Sequence, residues 1–334
     1  MGANIKTIAA LAGVSAATVS RALNGLSGVS PKTRRRIERL AREHSYVPDA
    51  QAQALVRGRS PFLGLVVPDI TNPFFTTLAR GAEEAAYELG YSLLLVNTDW
   101  QPARIPNALE LLTSRRVAGL LLAVPLERLQ PAPDWERLAP ATVMAGQPAP
   151  AGAGLVAVEV DDVLGGTLMG RHLIAAGCRR IAYLAGPESD SASARRLAGL
   201  NAALHEHGAG AALVTARFGQ WTEAWGVAAT RALLAEHDID GLFAANDLIA
   251  FGAFQAAAER GLRPGRDLAI AGYDDIDAAA RTAVPLTSVA QPTREVGREA
   301  VKRLVARLEG GAEIADLRLP PALVPRASTA RSTP

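Results

Sequence analysis

With 334 residues, about half of them apolar and a fifth charged, the chain can bury a large core and exceeds what one small domain needs. Its single cysteine, Cys178, excludes an internal disulfide and fits a reducing cytoplasm; no opening basic and apolar segment suggests a secretory leader, and the longest apolar run, residues 117–126, is too short for a membrane span. The net charge of +2 conceals a division: residues 1–60 carry ten Lys/Arg against three acids (+7), and residues 61–334 carry 25 against 30 (−5), which points to a polyanionic partner for the first sixty residues alone.

Ile5, Ile8, Ala9, Leu11 and Ala12 recur at helical spacing, so a helix is expected over 5–12, broken by Gly13. Ser15 then caps a second helix over 16–23, ended by Asn24 and by Gly25, which can take positive φ. Ser30 caps a third helix, opened by Pro31 and running to about His44 with Ile37, Leu40 and Ala41 inward. Two short helices across a tight glycine turn form a helix-turn-helix. The second begins with the small residues Ala16 and Ala17 and continues with the donors Thr18, Ser20 and Arg21; arginine can bridge guanine O6 and N7, and alanine can meet a thymine methyl. Asn24, Ser30 and Thr33 lie where they can hold phosphates beside helix N-termini. A plain three-helix bundle with solvated polar faces is the alternative.

The run Ile8-Ala-Ala-Leu-Ala-Gly-Val-Ser-Ala-Ala-Thr-Val-Ser-Arg-Ala-Leu-Asn24 resembles the headpiece signature of the lactose-repressor (LacI/GalR) family. Val29-Ser-Pro-Lys-Thr-Arg34 and Tyr46-Val-Pro-Asp-Ala50 fit its pattern too. The family usually has an acid where Thr7 stands and often asparagine where Asp49 stands; neither departure touches base reading. Residues 50–56, bounded by Pro48 and Gly58, are Ala-rich and too few for a stable isolated helix. The resemblance implies a hinge helix that folds only when two copies pair over the minor groove, with Leu55 as the wedge that kinks a central base step. The DNA-contacting set it implies is Thr7, Ser15, Ala16, Ala17, Thr18, Ser20, Arg21, Asn24, Ser30, Thr33, Ala52 and Leu55.

From Phe62 onward, strand-like runs (62–67, 92–96, 119–123, 142–145, 181–185, 241–245, 268–271) alternate with helical patterns (75–89, 163–176, 222–236, 248–260). Such alternation implies parallel sheets covered by helices, and the length favours two doubly wound lobes. Pro106, after Pro102, should delay or kink a helix start. The resemblance extends here through Leu65-Val-Val-Pro-Asp-Ile-Thr-Asn-Pro-Phe-Phe75, Ala244-Ala-Asn-Asp247, Gly272-Tyr-Asp-Asp275 and Pro285-Leu-Thr-Ser-Val-Ala-Gln291, and implies a periplasmic-binding-protein-like core with several crossovers between lobes.

Ligands of open α/β sheets bind beyond the carboxyl ends of strands. Asp69, Asn72, Phe74, Gln147, Asn246 and Asp274 fall at such ends; Gln291 lies near a crossover, Trp221 follows Phe218-Gly-Gln220, and Arg196 matches the arginine that contacts the effector in many family members. Asn246, Asp274 and Arg196 can serve adjacent hydroxyls, Phe74 and Trp221 the C–H face of a sugar. Asn246 and Asp274 also suit helix caps, Phe74, Phe75 and Trp221 plain core, and Asp161 either a ligand group or a cap.

An enzyme is not expected. There is no Gly-x-Ser-x-Gly elbow, no phosphate-binding Gly-x-x-x-x-Gly-Lys and no two-cysteine metal pair, so no catalytic residue, metal or cofactor is assigned. His205-Glu-His207 lacks metalloprotease spacing and reads as the end of a surface helix; Gly152-Ala-Gly154 precedes a strand rather than following one.

The expectation is an N-terminal all-α helix-turn-helix DNA-binding domain (1–48), a hinge helix and linker (49–60), and an α/β effector-binding and dimerisation core (61–334) of two doubly wound parallel-sheet lobes, about 61–160 with 291–320, and about 161–290. The expected function is a cytoplasmic, nucleoid-associated transcriptional repressor, homodimeric for want of a heptad-bearing tail, released from a palindromic operator by a carbohydrate. A corepressor-dependent regulator or activator answering to a nucleoside, nucleobase or sugar phosphate stays open, as does a transport receptor with the same core.

Overall fold

The computed structural model describes residues 4–24, 26–44, 46, 60–114, 116–126, 133–311 and 314–330. Gly25 and residues 47–59, the expected hinge with Asp49, Ala52 and Leu55, lie outside the described residues.

Helices α1 (Ile5–Ala12), α2 (Ala16–Leu23) and α3 (Pro31–Glu43) form the headpiece. The side chains of Asn4, Ser15 and Ser30 cap them by accepting from the amides of Thr7, Thr18 and Thr33. Gly13, at φ +63°, makes the turn between α1 and α2. Ile8, Val19 and Ile37 are fully buried in one small core. Arg34, given no role from sequence, donates to the carbonyls of Ala22 and Leu26, each at 2.7 Å, and so closes the carbonyl end of α2 from α3.

Two six-stranded sheets make the core. The first runs β11-β5-β4-β3-β1-β2 and is parallel throughout, from β1 (Phe62–Val67), β2 (Ser92–Asn97), β3 (Gly119–Leu122), β4 (Thr142–Ala145), β5 (Val156–Val160) and β11 (Leu317–Leu319). The second runs β12-β10-β9-β8-β6-β7, from β6 (Arg180–Ala185), β7 (Ala212–Phe218), β8 (Gly241–Ala244), β9 (Ala269–Asp274), β10 (Thr287–Ala290) and β12 (Ala322–Val324), with only β12 antiparallel. Inner strands such as β1 and β3 read as continuous apolar runs because helices cover both faces. The covering helices are α4 (Pro73–Glu88), α5 (Ile105–Thr113), α6 (Trp135–Leu138), α7 (Asp162–Ala175), α8 (Ser191–His207), α9 (Glu223–Glu236), α10 (Asp247–Glu259) and α11 (Thr293–Leu308). Pro106 sits in the first turn of α5, behind a 3-10 turn at Pro102–Arg104, so it is accommodated without a kink.

The chain passes between the lobes three times: from β5 into α7 at Asp161, from β10 into α11 at Gln291 and Pro292, and from β11 into β12 at Pro320 and Pro321. Asp161 caps α7, accepting from Leu164 N at 2.9 Å. His205 and His207 end α8, as the sequence suggested.

Three helix pairs meet through reciprocal glycines. A Cβ on Gly81 of α4 would fall 2.0 Å from the Arg294 carbonyl of α11, and one on Gly297 2.2 Å from that of Leu78. A Cβ on Gly166 of α7 or Gly199 of α8 would fall 2.1 Å from the carbonyl of Arg196 or Val163, and one on Gly226 of α9 or Gly252 of α10 2.3 or 2.2 Å from that of Ile249 or Glu223. Any side chain there forces backbones apart. Gly199→Ala is therefore expected to lower unfolding free energy by about 1–3 kcal/mol, read as an earlier urea midpoint; an unshifted midpoint would show that α7 and α8 can separate freely.

Candidate functional site

The headpiece presents α2 outward. Val19 and Ala22 face the small core; Ala17 and Arg21, four residues apart, are exposed on the other side, with Ala16, Thr18 and Ser20 half-buried beside them. Ser15 and Ser30 are exposed, each paired with the hydroxyl three residues on, Thr18 and Thr33, at 2.9 Å. Thr7 is exposed on α1, its hydroxyl donating to Asn4 Oδ1 at 3.2 Å. Asn24 differs from expectation: its amide donates to Ser20 O and Oγ (2.9 and 3.3 Å), so it closes α2 rather than offering free donors to a phosphate. Lys32, Arg35, Arg36, Arg39 and Arg42 give α3 an exposed cationic face.

In the core, loops at the carboxyl ends of both sheets converge on a polar chamber. Eight of the nine residues expected at the effector site line it: Asn72, Phe74, Gln147, Arg196, Trp221, Asn246, Asp274 and Gln291. Asp69 does not. Its carboxylate accepts from Thr71 N and Oγ1 (2.8 and 2.7 Å) and is spent on its own turn. Sequence reasoning missed Trp100 and Asp190, which also line the chamber, and weighed Phe75 only as core. The chamber is narrow, about 40 Å³, room for little more than a water. A wider chamber of about 380 Å³ adjoins it through Trp100, Asp190 and Trp221.

Arg196 organises the second-lobe wall. Its Nε donates to Asp162 Oδ1 (2.8 Å) and its Nη1 to the Ala245 carbonyl, while its guanidinium lies 3.7 Å above the Tyr273 ring centroid. Asp162 is shared with Arg195 at 2.7 Å. Burial opposes the Arg196 charge, yet Asp162, Tyr273 and Asp274 outweigh it and hold the guanidinium protonated beyond its ordinary range. Asn246 caps α10, accepting from Ile249 N at 2.8 Å, and also lines the chamber. Trp221 donates from Nε1 to Asp190 Oδ2 at 3.1 Å and rests on Gly186, where a Cβ would come within 2.1 Å of the indole. Gln147, on the first-lobe wall and 9% exposed, carries a buried Oε1 with no protein partner among the described residues. A buried orphan acceptor is costly unless something donates to it.

Asp274 has φ +108° and is followed by Asp275 at +53°, a strained pair that turns the Asp274 carboxylate to meet Gln291 Nε2 at 2.7 Å. Asp247 behind it is fully buried, accepting from Ile276 N (2.8 Å) and Ser288 Oγ (2.6 Å), and so ties the loop after β9 to β10. Burial, with Asp274 close by, raises Asp247 well above the usual carboxylate range. Burial also pushes Asp274 up to about 7, more than Arg196 and Gln291 pull it down. With a folded value above its ordinary 3.8, Asp274 contributes stability that is complete below about pH 4 and lost as the pH rises through 7. Asp274→Asn is therefore expected to shrink the fall in urea-unfolding free energy between about pH 5 and about pH 8; an undiminished fall would place that titration elsewhere.

Comparison with known proteins bears on both halves of the chain. The family model for bacterial regulatory proteins of the lacI family matches residues 4–49, and that for the periplasmic binding protein-like domain matches residues 171–329. The ribose operon repressor of Escherichia coli (strain K12) is 35% identical over 92% of this chain and 93% of its own. The solved structure of the lac repressor dimer bound to operator and the anti-inducer ONPF superposes with a TM-score of 0.87 at 29% identity, covering 98% of this chain and 99% of that one. The complex of the transcriptional regulator CelR with cellobiose superposes with a TM-score of 0.74 at 34% identity, covering 98% and 99%. Similarity at this level runs through headpiece and core together, and the chain belongs to the lacI family of bacterial regulatory proteins.

Proposed function

We propose that the chain is a dimeric, sequence-specific transcriptional repressor that leaves a near-palindromic operator when a carbohydrate enters the cleft between its lobes. The observation that carries this reading is the chamber itself, where Gln147 with its orphan Oε1, Arg196, Asn246 and Asp274 surround space flanked by the rings of Phe74 and Trp221. Hydroxyl-sized donors and acceptors beside aromatic faces match the two sides of a sugar ring. A relative solved as a complex with cellobiose and one named for a ribose operon support the carbohydrate class and leave the sugar's size open.

On the DNA side, α2 enters the major groove, with Ala16, Ala17, Thr18, Ser20 and Arg21 toward base edges, and Thr7, Ser15, Ser30 and Thr33 toward the backbone. Residues 49–60 serve as the hinge, with Ala52 and Leu55 at the minor groove. The lobes divide as about 61–160 with 291–320, and about 161–290, the strand at 322–324 adding to the second. Dimer formation is supported by the lac repressor dimer and by exposed apolar side chains on and just before edge strand β2: Leu94 and Leu95, each 40% exposed, and Tyr87 and Leu89. Such a protein regulates rather than catalyses, and acts in the cytoplasm on nucleoid DNA; no helix of the described residues is long and apolar enough to cross a membrane.

The test is selection of binding duplexes from a random library, followed by anisotropy titration of the selected duplex with and without sugars. Symmetric sites, a steep salt dependence and a sugar that weakens binding are expected, with coupling of about 1–3 kcal/mol. A sugar that strengthens binding would reverse the sign and make the chain corepressor-dependent. No preference over random DNA would end the proposal.

A further inference from the structure

We propose that the effector has two glycosidically linked rings, one held by Arg196, Asn246 and Asp274 in the narrow chamber and the second in the wide chamber beside it. This rests on the carbohydrate reading of the cleft and names the size of the sugar.

The wide chamber is part of the same cleft, not a separate pit, because Trp100, Asp190 and Trp221 line both. Its volume of about 380 Å³ lies within the ~300–1,000 Å³ range of small-molecule sites. The narrow chamber, at about 40 Å³, must widen to take even one ring, whereas the space beside it is already formed. A ligand confined to a single ring would leave the preformed space unused.

Its walls have the chemistry of a sugar subsite. The indoles of Trp100 and Trp221 come from opposite lobes. Trp221 is fixed by its hydrogen bond to Asp190 and by contact with Gly186. Trp100 packs against the hydrophobic cores of both lobes and sets its ring edge-on to Phe75, centroids 6.1 Å apart. It stands there through two successive left-handed residues, Asp99 at φ +56° and Trp100 at φ +54°, a conformation that neither side chain adopts without cost. Asp99, Ser189 and Gln220 supply polar groups at the rim for hydroxyls, while Pro102, Pro125 and Pro187 give rigid apolar wall. Among the described residues no Lys, Arg or His lines this chamber, and the carboxylates of Asp99 and Asp190 do, which disfavours a phosphate there and points to a neutral ring.

The experiment pairs each sugar with its own two-ring forms: glucose with cellobiose and maltose, galactose with lactose and melibiose, xylose with xylobiose, and adenosine as a stacking control. Full-length protein bound to its selected operator is titrated, and the concentration that releases half the DNA is read. The responding pair should show release by the two-ring form at a concentration lower by about tenfold or more. In Ser189→Trp, whose new ring fills the wide chamber, that advantage should disappear while operator affinity without sugar, the measure of a folded protein, is retained. Equal or better release by the single ring, or an unchanged two-ring advantage in Ser189→Trp, overturns the inference and leaves the carbohydrate reading standing. Release by adenosine and by no sugar overturns both.

Discussion

Arg196→Ala is expected to remove the response to effector altogether while the protein still binds operator. Arg196 lines the chamber, and its Nη2 has no hydrogen bond among the described residues, so the proposed ligand contact would fall to that group. It also neutralises its surroundings, with Nε on Asp162 and Nη1 4.0 Å from Asp274 Oδ1, every partner side chain 7% exposed or less. Removing one member of a buried ionic cluster costs about 3–5 kcal/mol because a carboxylate is left uncompensated. Retention of Arg195 on Asp162 places the expected loss toward the low end of that range. The two effects separate in a double variant. Arg196→Ala with Asp162→Asn should recover much of the stability, measured by urea unfolding, without restoring release of DNA in an anisotropy titration. A normal dose response in either variant would move the effector out of this chamber.

The second large effect concerns DNA. Arg21 is exposed on α2 and makes no ion pair among the described residues, so Arg21→Ala should leave the headpiece folded. If it reads a guanine, specific affinity falls by about 1–3 kcal/mol and nonspecific affinity by much less. Equal losses on operator and random duplex, with a slope against salt reduced by about one phosphate, would make Arg21 a backbone contact. Arg34→Ala, by contrast, should weaken both kinds of binding through the headpiece, since its donors hold the end of α2 to α3.

Where apolar runs are long and inward, sequence and structure agree closely: residues 62–67 and 142–145 are strands from end to end, and the helices over 163–176 and 222–236 begin and end within one residue of expectation. The strands that escaped reading lack that signal for identifiable reasons. β7 is an edge strand of half-exposed residues, so no apolar run marks it. β5 carries Glu159, a buried carboxylate neutralised by Arg318 at 2.7 Å. β10 opens with Thr287 and Ser288, polar yet fully buried because Thr329 and Asp247 satisfy their hydroxyls. β11 and β12 have three residues each, below any useful periodicity.

The candidate site was legible for a different reason. Parallel strands deliver their following residues to one edge, so Asn72, Asn246 and Asp274 could be placed from order alone, helped by the family motifs around them. Local pairing could not be placed that way. Asp69 obeys the same positional rule and is consumed by Thr71. Trp100 also follows a strand, but its reach across the cleft depends on two left-handed residues that composition does not announce. Asp190 caps α8, accepting from Ala192 N at 2.9 Å; its second oxygen accepts from Trp221, 31 residues away, a pairing with no local sequence signal.

The reciprocal glycines give the molecule a mechanical character. Backbones that already touch, as at Gly81 with Gly297, Gly166 with Gly199 and Gly226 with Gly252, leave no slack for a helix to tilt against its mate. A lobe movement driven by a ligand in the cleft would therefore be expected to turn at the three connections at Asp161, Gln291 and Pro320 rather than inside a lobe, and a small rotation there would become a larger displacement at the far edge of each sheet.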